Sequence, residues 1–293
     1  MFFAGLYGCP ALLAREVVRR PGRGWPSLLL LAAALAVLEA GAIDQSFFAE
    51  ENDLVRGWSK SVRRTYVDPL GISAFNALSF TLGHIIHSFA APIAVAEALR
   101  ADLAHQPWLR RRGIIVASLA WLLTVAAITT DLEPGHLHNA TGPEVLGTLA
   151  VVALLVGIAL RPPATRPNLA DLPPIDHRHA LVAGFVVATA IAVAPDTWLG
   201  LAALVITAVL AVGWLAWSAR TRRWTVATAA AAAVGALTSR GTLGFLYEPL
   251  VGEVSLPAKI AHNIVMLLAV LVLGTIAIRR ASAGQPTPRP GSR

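Results

Sequence analysis

Three ionisable side chains, Glu39, His84 and His262, each interrupt a long apolar stretch of the sequence. An ionisable group inside a hydrocarbon layer is costly, so each one marks a functional hypothesis. A buried carboxylate beside imidazoles can act as an acid–base pair, relay protons or bind a divalent metal ion. We therefore expect these three residues to be catalytic. A divalent metal ion is a candidate cofactor, with His84 and His262 as candidate ligands.

Further polar residues extend this hypothesis. Asn76, His84 and His87 recur at helical intervals, so they share one face of a helix. Asn263 directly follows the third of the ionisable residues. We expect Asn76, His87 and Asn263 to contact a substrate at the same site. The structural alternative is that the carboxylate and one histidine satisfy each other and only stabilise helix packing.

The elements that must position these residues are membrane-spanning helices. Of the 293 residues, 56% are hydrophobic and only 14% are charged, and the mean hydropathy is +0.63. Because soluble domains carry about 25% charged residues, this composition excludes a soluble enzyme, a coiled coil and a disordered chain. Cys9 is the single cysteine, so an intrachain disulfide is excluded as well.

A transmembrane helix needs about 20 mostly apolar residues, and the hydropathy pattern predicts eight of them. The predicted spans are 27–43, 72–99, 113–130, 144–160, 180–195, 198–218, 224–239 and 257–278. We expect an all-α bundle that forms one integral membrane domain over residues 1–280, with an irregularity in the second span at Pro92. Residues 281–293 are rich in proline, glycine and serine, which predicts a disordered cytoplasmic tail.

The charged residues predict the orientation of these spans. Arginines cluster before the first span and after the second, fourth, sixth and eighth, whereas most carboxylates lie in the other connections. Because positive charge marks cytoplasmic segments, we expect both termini to be cytoplasmic in a multi-pass protein of the cell membrane. The arginine bias over lysine is typical of GC-rich bacterial genes. Residues 15–42 also have the layout of a cleavable signal peptide, which is the alternative to a retained first helix.

The net charge of +7 follows from this sorting of charges, so we expect membrane lipids rather than nucleic acid as partners. In the same orientation, the three ionisable residues converge in the outer half of the bilayer from three different helices. His262, for example, lies five residues into the last span, at a depth of roughly 8 Å. This shared depth predicts a single site.

The connection between the first two spans, residues 44–71, is longer than a plain turn requires. Leu54, Trp58, Val62 and Tyr66 recur every four residues, which predicts an amphipathic helix on the outer surface. We expect this helix to be a lid over the site, with basic side chains that bind a phosphate or lipid headgroup. The substrate-binding residues predicted in it are Trp58, Arg63 and Arg64, next to Lys60. A passive interfacial helix is the alternative.

Two further histidines, His136 and His138, lie in another predicted outer connection together with two carboxylates. They are the remaining candidate metal ligands. The sequence contains no DDxxD, GxSG or HExxH pattern. It therefore lacks the signatures of paired-magnesium prenyl transfer, rhomboid-type serine proteolysis and site-2-type zinc proteolysis.

Two classes of function are consistent with these residues. The first is an intramembrane enzyme that uses acid–base or metal-assisted chemistry on a small lipid or isoprenoid. The second is a proton- or metal-linked transporter or channel, and a non-catalytic accessory subunit is a third alternative. A transporter needs polar features in both halves of the membrane, whereas the inner half of this chain offers mainly Glu97 and arginines.

Overall fold

The fold is helical, as the sequence predicts. The structure, a computed structural model, describes residues 2–52, 55–130, 140–161, 172–221, 223–249 and 254–283. Strand structure among these residues is confined to one two-stranded hairpin. Each of the eight predicted spans overlaps a helix, which confirms the all-α prediction. Residues 281–283 of the predicted tail belong to the last helix, and the rest of that tail lies outside the described residues.

The helices are α1 (Cys9–Arg19), α2 (Trp25–Leu38), α3 (Trp58–Arg64), α4 (Ala74–Gly83), α5 (Ala91–Leu99), α6 (Arg111–Thr130), α7 (Gly142–Ala159), α8 (His177–Val193), α9 (Trp198–Arg220), α10 (Val226–Leu243) and α11 (Leu256–Ala283). Three π-helical turns adjoin them: Ala4–Gly8 before α1, Glu39–Ile43 after α2, and His84–Ala90 between α4 and α5. The antiparallel strands are β1 (Tyr66–Val67) and β2 (Ile72–Ser73), and short 3-10 turns occupy Asp68–Leu70 and Ala101–Leu103.

The continuous helix formed by α4, its π turn and α5 is the centre of the bundle. The π turn contacts α2, α4 packs against α9, and α5 packs against α10 and α11. Helix α7 packs against α2, and α6 against α1. The N-terminal helices therefore lie on one side of this central helix, and α8 to α11 lie on the other.

The π turn in the central helix has a local cause. Pro92 has no backbone N–H, and its ring clashes with the carbonyl four residues earlier, so a regular α-helix is disrupted there. The preceding turn widens instead, and the Ala91 amide bonds to the carbonyl of Ile86, five residues back. The irregularity predicted at Pro92 thus takes the form of a widened turn. Such turns are frequent at functional sites.

Six helices are long and apolar enough to cross a membrane. They are Trp25–Ile43, Ala74–Leu99, Arg111–Thr130, Gly142–Ala159, Trp198–Arg220 and Leu256–Ala283, and a shorter apolar helix occupies His177–Val193. Many of their apolar side chains face outward; Leu123 and Leu199 are 72% and 78% exposed. Exposed apolar surface of this extent is rare on soluble proteins. The length of these helices and their exposed apolar surface therefore indicate a membrane protein.

The alanine-rich helix α10 is less apolar than its neighbours, yet it is enclosed by them. Ala227, Ala230 and Ala231 have no exposed surface. A Cβ atom added to Gly184 of α8 or to Gly235 of α10 would lie 2.0 Å from a backbone oxygen of the opposite helix. Small residues of this kind let membrane helices approach closely. The low hydropathy of α10 therefore reflects packing against protein rather than against lipid.

Contacts between connections sort them to the two ends of the bundle. At one end, which we call the carboxylate end, Arg64 of α3 pairs with Asp196 between α8 and α9. Gln45, which follows α2, accepts a hydrogen bond from the Ala140 amide before α7. These three connections are the ones predicted to share the outer surface.

The opposite end, which we call the arginine end, is held by arginines bound to helix termini. Arg23 donates to the carbonyl of Leu160 at the end of α7, at 2.7 Å. Arg280 of α11 donates to the carbonyl of Leu99 at the end of α5, at 3.3 Å. A cation at a helix C-terminus interacts favourably with the helix dipole. The arginines that predict orientation therefore also link the connections of this end.

An additional helix precedes the first predicted span. Residues 2–19 are helical, and α1 packs against α2 and α6. A helix of this length measures about 27 Å, close to the hydrocarbon thickness of about 30 Å. The hydropathy pattern missed it because Arg15, Glu16 and Arg19 interrupt its apolar residues.

These charges are accommodated because they are buried as a paired cluster at the arginine end. Arg19 donates two hydrogen bonds to Glu97, at 2.7 and 2.8 Å, and Arg15 Nε lies 2.9 Å from the same carboxylate. Arg15 also donates to three backbone carbonyls in the 101–108 connection and stacks on Trp108. The three charged side chains are at most 3% exposed. The cluster therefore ties α1 to the central helix.

Replacing Glu97 by alanine should destabilise the protein strongly. The substitution leaves Arg15 and Arg19 buried without the carboxylate that they share, and breaking a buried pair in this way costs about 3–5 kcal/mol. Chemical denaturation of the purified protein in detergent measures the effect. Asp102→Asn is the matched control, because Asp102 is an exposed carboxylate paired with Arg100, and it should not change stability. Equal stability of the two variants would show that the cluster does not hold α1.

Candidate functional site

Glu39, His84 and Tyr7 form one cluster between the N-terminal helix, α2 and the central helix. One Glu39 oxygen accepts a hydrogen bond from Tyr7 Oη at 2.8 Å, and the other oxygen lies 2.9 Å from His84 Nε2. His84 Nδ1 lies 3.1 Å from Ser88 Oγ. The Tyr7 ring also stacks on the imidazole, with centroids 5.5 Å apart. The four side chains form a continuous row of polar contacts.

Each member of the cluster is presented by a π-helical turn. Tyr7, Glu39 and His84 each lie in a different one of the three turns. Pro10 and Pro92, which closely follow two of these turns, disrupt the regular hydrogen-bond pattern of an α-helix. A π turn changes the register of the side chains on a helix, and single turns of this kind are frequent at functional sites. The convergence of three of them therefore singles out this place in the bundle.

The pair formed by Glu39 and His84 is suited to proton transfer. The Glu39 side chain is 6% exposed and the His84 side chain 22%, so any charge on either group needs a partner. A carboxylate with an imidazolium and a carboxylic acid with an imidazole have the same net charge of zero. A proton moved between the two groups would therefore leave the net charge of the site unchanged.

A void of about 10 Å³ borders Glu39, and Leu35, Phe89 and Trp121 help to line it. A void of this size has room for one water molecule at most. The void therefore does not admit a larger molecule.

Asp44 is a second carboxylate near the cluster, directly after the π turn that contains Glu39. It accepts a hydrogen bond from the Ser46 amide at 2.9 Å. Burial and, second, the negative charge of Glu39 raise the pKa of Asp44 to about 6. Asp44 therefore takes up a proton at mildly acidic pH, next to the Glu39–His84 pair.

An apolar layer separates this cluster from the buried arginines. Its side chains are contributed by α1, α2 and the central helix, and they include Val18, Leu28, Leu31, Phe89 and Ile93. No hydrogen bond or ion pair between described residues crosses this layer. The two buried polar clusters are therefore separate sites within the bundle.

His262, predicted to belong to the site, does not join this cluster. Its side chain is exposed, and it makes no hydrogen bond or ion pair with any described residue. The neighbouring Asn263 donates to the carbonyl of Gly244 at 2.8 Å, which ties α11 to the end of α10. Equal depth did not bring His262 to Glu39, because α11 packs against α5 and α10 on the other side of the central helix.

The other two site residues predicted on the central helix, His87 and Asn76, make no hydrogen bond or ion pair with Glu39 or His84. The His87 Nδ1 atom is buried and has no hydrogen-bond partner among the described residues. Asn76 lies at the start of α4. Its backbone N–H donates to Ser73 Oγ at 3.3 Å, and its side-chain oxygen accepts a hydrogen bond from Ser61 Oγ. The shared helix face predicted for these residues therefore does not amount to a shared site.

The predicted amphipathic helix is present, but it is limited to the seven residues of α3. Its apolar side faces the bundle: Trp58 stacks on Phe80 of α4 with centroids 5.9 Å apart, and Val62 is buried. Arg63 is exposed, whereas Arg64 pairs with Asp196. The helix covers the end of α4, as a lid would, but none of its basic residues reaches Glu39 or His84.

Tyr66, predicted to continue this helix, instead begins the β1–β2 hairpin. The backbone leaves the helical conformation at Thr65, whose hydroxyl lies 2.9 Å from Ser73 Oγ and closes the hairpin. Tyr66 Oη donates to the Glu50 carboxylate at 2.6 Å, and this hydrogen bond raises the pKa of Tyr66 to about 12. The contact between Thr65 and Ser73 and the hydrogen bond from Tyr66 to Glu50 therefore hold the hairpin in place.

The predicted metal ligands are not brought together. No group of three histidine, cysteine, aspartate or glutamate side chains among the described residues is arranged to hold a metal ion. His84 and His262 lie apart, and His136 and His138 lie outside the described residues. The side chains that do converge are Tyr7, Glu39, His84 and Ser88.

A groove of about 880 Å³ opens at the carboxylate end. Helices α4 and α7 line it on two sides, Val37 of α2 lies between them, and the β1–β2 hairpin borders it. Ala74, Ala77 and Gly147 are among its lining residues, and their small side chains leave the space open. This volume lies within the range of known ligand sites, about 300–1,000 Å³.

The groove leads toward His84 along the central helix. Ala77 and Thr81 line it, and His84 follows them by seven and three residues, which places all three on one helix face. His84 lies about 4.5 Å further along the helix axis than Thr81. The groove wall and His84 therefore share one face of the central helix.

Sequence reasoning missed Tyr7, although a signal for it exists. Tyr7, Ala11, Ala14 and Val18 recur every three or four residues, which is the period of a helix with one buried face. Ala11, Ala14 and Val18 are indeed buried against α2 and the central helix. Arg15 and Arg19 interrupt the apolar residues of this helix, so the hydropathy pattern alone does not reveal it.

Comparison with known proteins adds no family. No protein-family model, no curated protein and no solved structure matches the chain significantly. The function must therefore be argued from the site itself.

Replacing Asp44 by asparagine should stabilise the protein at neutral pH but not at acidic pH. Because folding raises the pKa of Asp44, its protonated form contributes stability below the unfolded value of about 3.9. That contribution is lost as the pH rises through about 6. The amide oxygen can still accept the Ser46 hydrogen bond. Unfolding midpoints of variant and wild type, at about pH 4 and about pH 7, measure the difference.

Asp68→Asn, an exposed carboxylate of the same connection, is the control, and it should give the same difference from wild type at both pH values. An Asp44→Asn variant that is no more stable than wild type at neutral pH would show that Asp44 is not held in a proton-binding environment.

Proposed function

We propose that the protein is an intramembrane acid–base enzyme that acts on a small lipid or isoprenoid. The observation that carries the proposal is the 2.9 Å contact between Glu39 and His84 in a buried position. A groove large enough for such a molecule is lined by Val37 and Thr81, which precede Glu39 and His84 by two and three residues. The alternative that this pair serves packing alone accounts for the contact, but it does not account for the groove.

The pair divides the chemistry between its members. His84 is the more exposed member and exchanges a proton with the substrate, as in protonation of an alkene or epoxide. Glu39 holds the imidazole in place and stabilises its protonated form. Tyr7 is a positioning residue, because its hydrogen bond fixes the carboxylate and stabilises its negative charge. The proton returns to His84 when the substrate loses one in the second half of the reaction.

A proton-linked transporter or channel is the other candidate. A transport path needs polar groups through both halves of the membrane. The apolar layer that includes Leu28, Phe89 and Ile93 lies between the Glu39–His84 pair and the buried arginines. This layer favours an enzyme that works from one side over a transporter.

Replacing Glu39 by glutamine should abolish turnover while leaving expression intact. The amide cannot stabilise the protonated form of His84, so general acid–base catalysis by His84 is lost, which lowers a rate by about 10²–10⁴-fold. Mass spectrometry compares lipid extracts of cells that express the wild type, the variant or an empty vector. A lipid species that depends on the wild type and disappears with Glu39→Gln is the expected result.

His262→Gln is the matched control, because His262 is exposed and lies apart from the pair; this variant should retain the product. Product that persists in the Glu39→Gln variant would overturn the proposed function. Loss of product in the His262→Gln variant would contradict the assignment of the site to Glu39 and His84.

We propose in addition that the eight predicted spans and the helix of residues 2–19 all cross the cell membrane, with the arginine end in the cytoplasm. The positive-inside rule supports this orientation. The helix of residues 2–19 runs from Tyr7, beside Glu39, to Arg19 in the arginine cluster. Phe2 then lies on the outer side, in place of the cytoplasmic position expected from the sequence for the N-terminus.

Single-cysteine labelling tests this topology. In a Cys9→Ala background, Phe2→Cys should react with a membrane-impermeant maleimide in intact cells. Pro21→Cys, in the exposed turn before α2, should react only after the cells are made permeable. Labelling of both positions from the same side would show that residues 2–19 do not cross the membrane.

A further inference from the structure

We propose that the groove between α4 and α7 binds an amphiphile with a protonated amine head, with its chain along α7 and its head at the carboxylate end. This inference rests on the proposed function, because it names the substrate class of the same site. The ligand is lipid-like and reaches the groove from the outer part of the membrane.

The walls of the groove suit a hydrocarbon chain. On α7 the lining residues extend from Thr141 to Val151, ten residues or about 15 Å along the helix. Leu78 of α4 and Val37 of α2 contribute apolar surface, and Gly147 leaves room at mid-length. A Cβ atom added to Gly147 meets no atom within 4 Å. The groove is therefore open along its length and lined for an apolar occupant.

The mouth of the groove suits a cationic head. Its charged lining residues are two carboxylates, Asp68 beside the hairpin and Glu144 at the start of α7, and none of the described lining residues is basic. Glu144 is fixed by the helix cap, in which it accepts hydrogen bonds from the Thr141 amide and hydroxyl. A positive charge at this mouth is attracted by both carboxylates, whereas a phosphate is repelled.

This charge pattern differs from the phosphate site expected on α3. Lys60, Arg63 and Arg64 are exposed, and none of them lines the groove. Arg64 is instead bound to Asp196. The basic side chains of the outer connection are therefore separate from the groove, and its selectivity is set by the hairpin and α7.

The binding experiment uses the full chain in nanodiscs and a photoactivatable dodecylamine as the probe. Labelling is competed with dodecylamine, dodecyl phosphate or dodecanol, and the labelled peptides are mapped. We expect labels on α4 and α7, with dodecylamine competing about tenfold more strongly than dodecyl phosphate. Asp68→Asn should reduce this preference without abolishing labelling.

Gly147→Leu should block the groove and reduce labelling at least about tenfold. Gly157→Leu is its matched control, because Gly157 lies on the same helix, is equally open, and does not line the groove. If Gly147→Leu does not fold, Ala77→Leu on the opposite wall serves the same purpose.

The outcomes separate this inference from the proposed function. Preference for dodecyl phosphate, equal competition by all three heads, or labelling unaffected by groove-filling variants would overturn the inference. Glu39→Gln should still be labelled by the amine, because Glu39 does not line the groove. Labelling without any wild-type product would therefore count against the enzyme and leave the binding site standing.

Discussion

The arrangement of the bundle depends on the pairing of buried charges along its central helix. This helix carries His84 near its middle and Glu97 near its end, both in surroundings that are otherwise apolar. Removing one partner of a buried pair costs several kcal/mol, so each group must be met by a neighbour. Glu97 is met by Arg15 and Arg19, and His84 is met by Glu39. These two contacts set the rotation and depth of the first two helices against the central one.

The two buried charge clusters, that of Glu97 with its arginines and that of Glu39 with His84, differ in how fully they are enclosed. At the arginine end, the charges are enclosed by backbone carbonyls and by Trp108, so they have no freedom to exchange a proton or admit a ligand. The pair of Glu39 and His84 has fewer partners and retains some accessible surface. The first cluster is therefore fully enclosed, whereas the second is partly accessible.

Local irregularities in the helices make this site possible. Prolines interrupt regular hydrogen bonding near Tyr7 and after His84, and the chain responds with π-helical turns. Small residues act in the opposite direction elsewhere: in α8 and α10 they bring two backbones together, while Ala77 and Gly147 keep α4 and α7 from filling the space between them. Helix packing thus brings α8 and α10 into close contact and leaves an open groove between α4 and α7.

The sequence alone determined where the apolar helices lie and which ionisable residues interrupt them. Span length, the alternation of arginines and a charge within an apolar run are local properties, so they identified the apolar helices, the two ends of the bundle, and Glu39 and His84. Only the tertiary structure decided which groups meet. Depth along a helix says nothing about its neighbours, so His262 was expected at a site that lies across the central helix from it. The first helix was hidden because its arginines are neutralised by Glu97, 78 residues away from Arg19. The groove exists only because α4 and α7 both pack on α2 without touching closely, and no single stretch of sequence records that spacing.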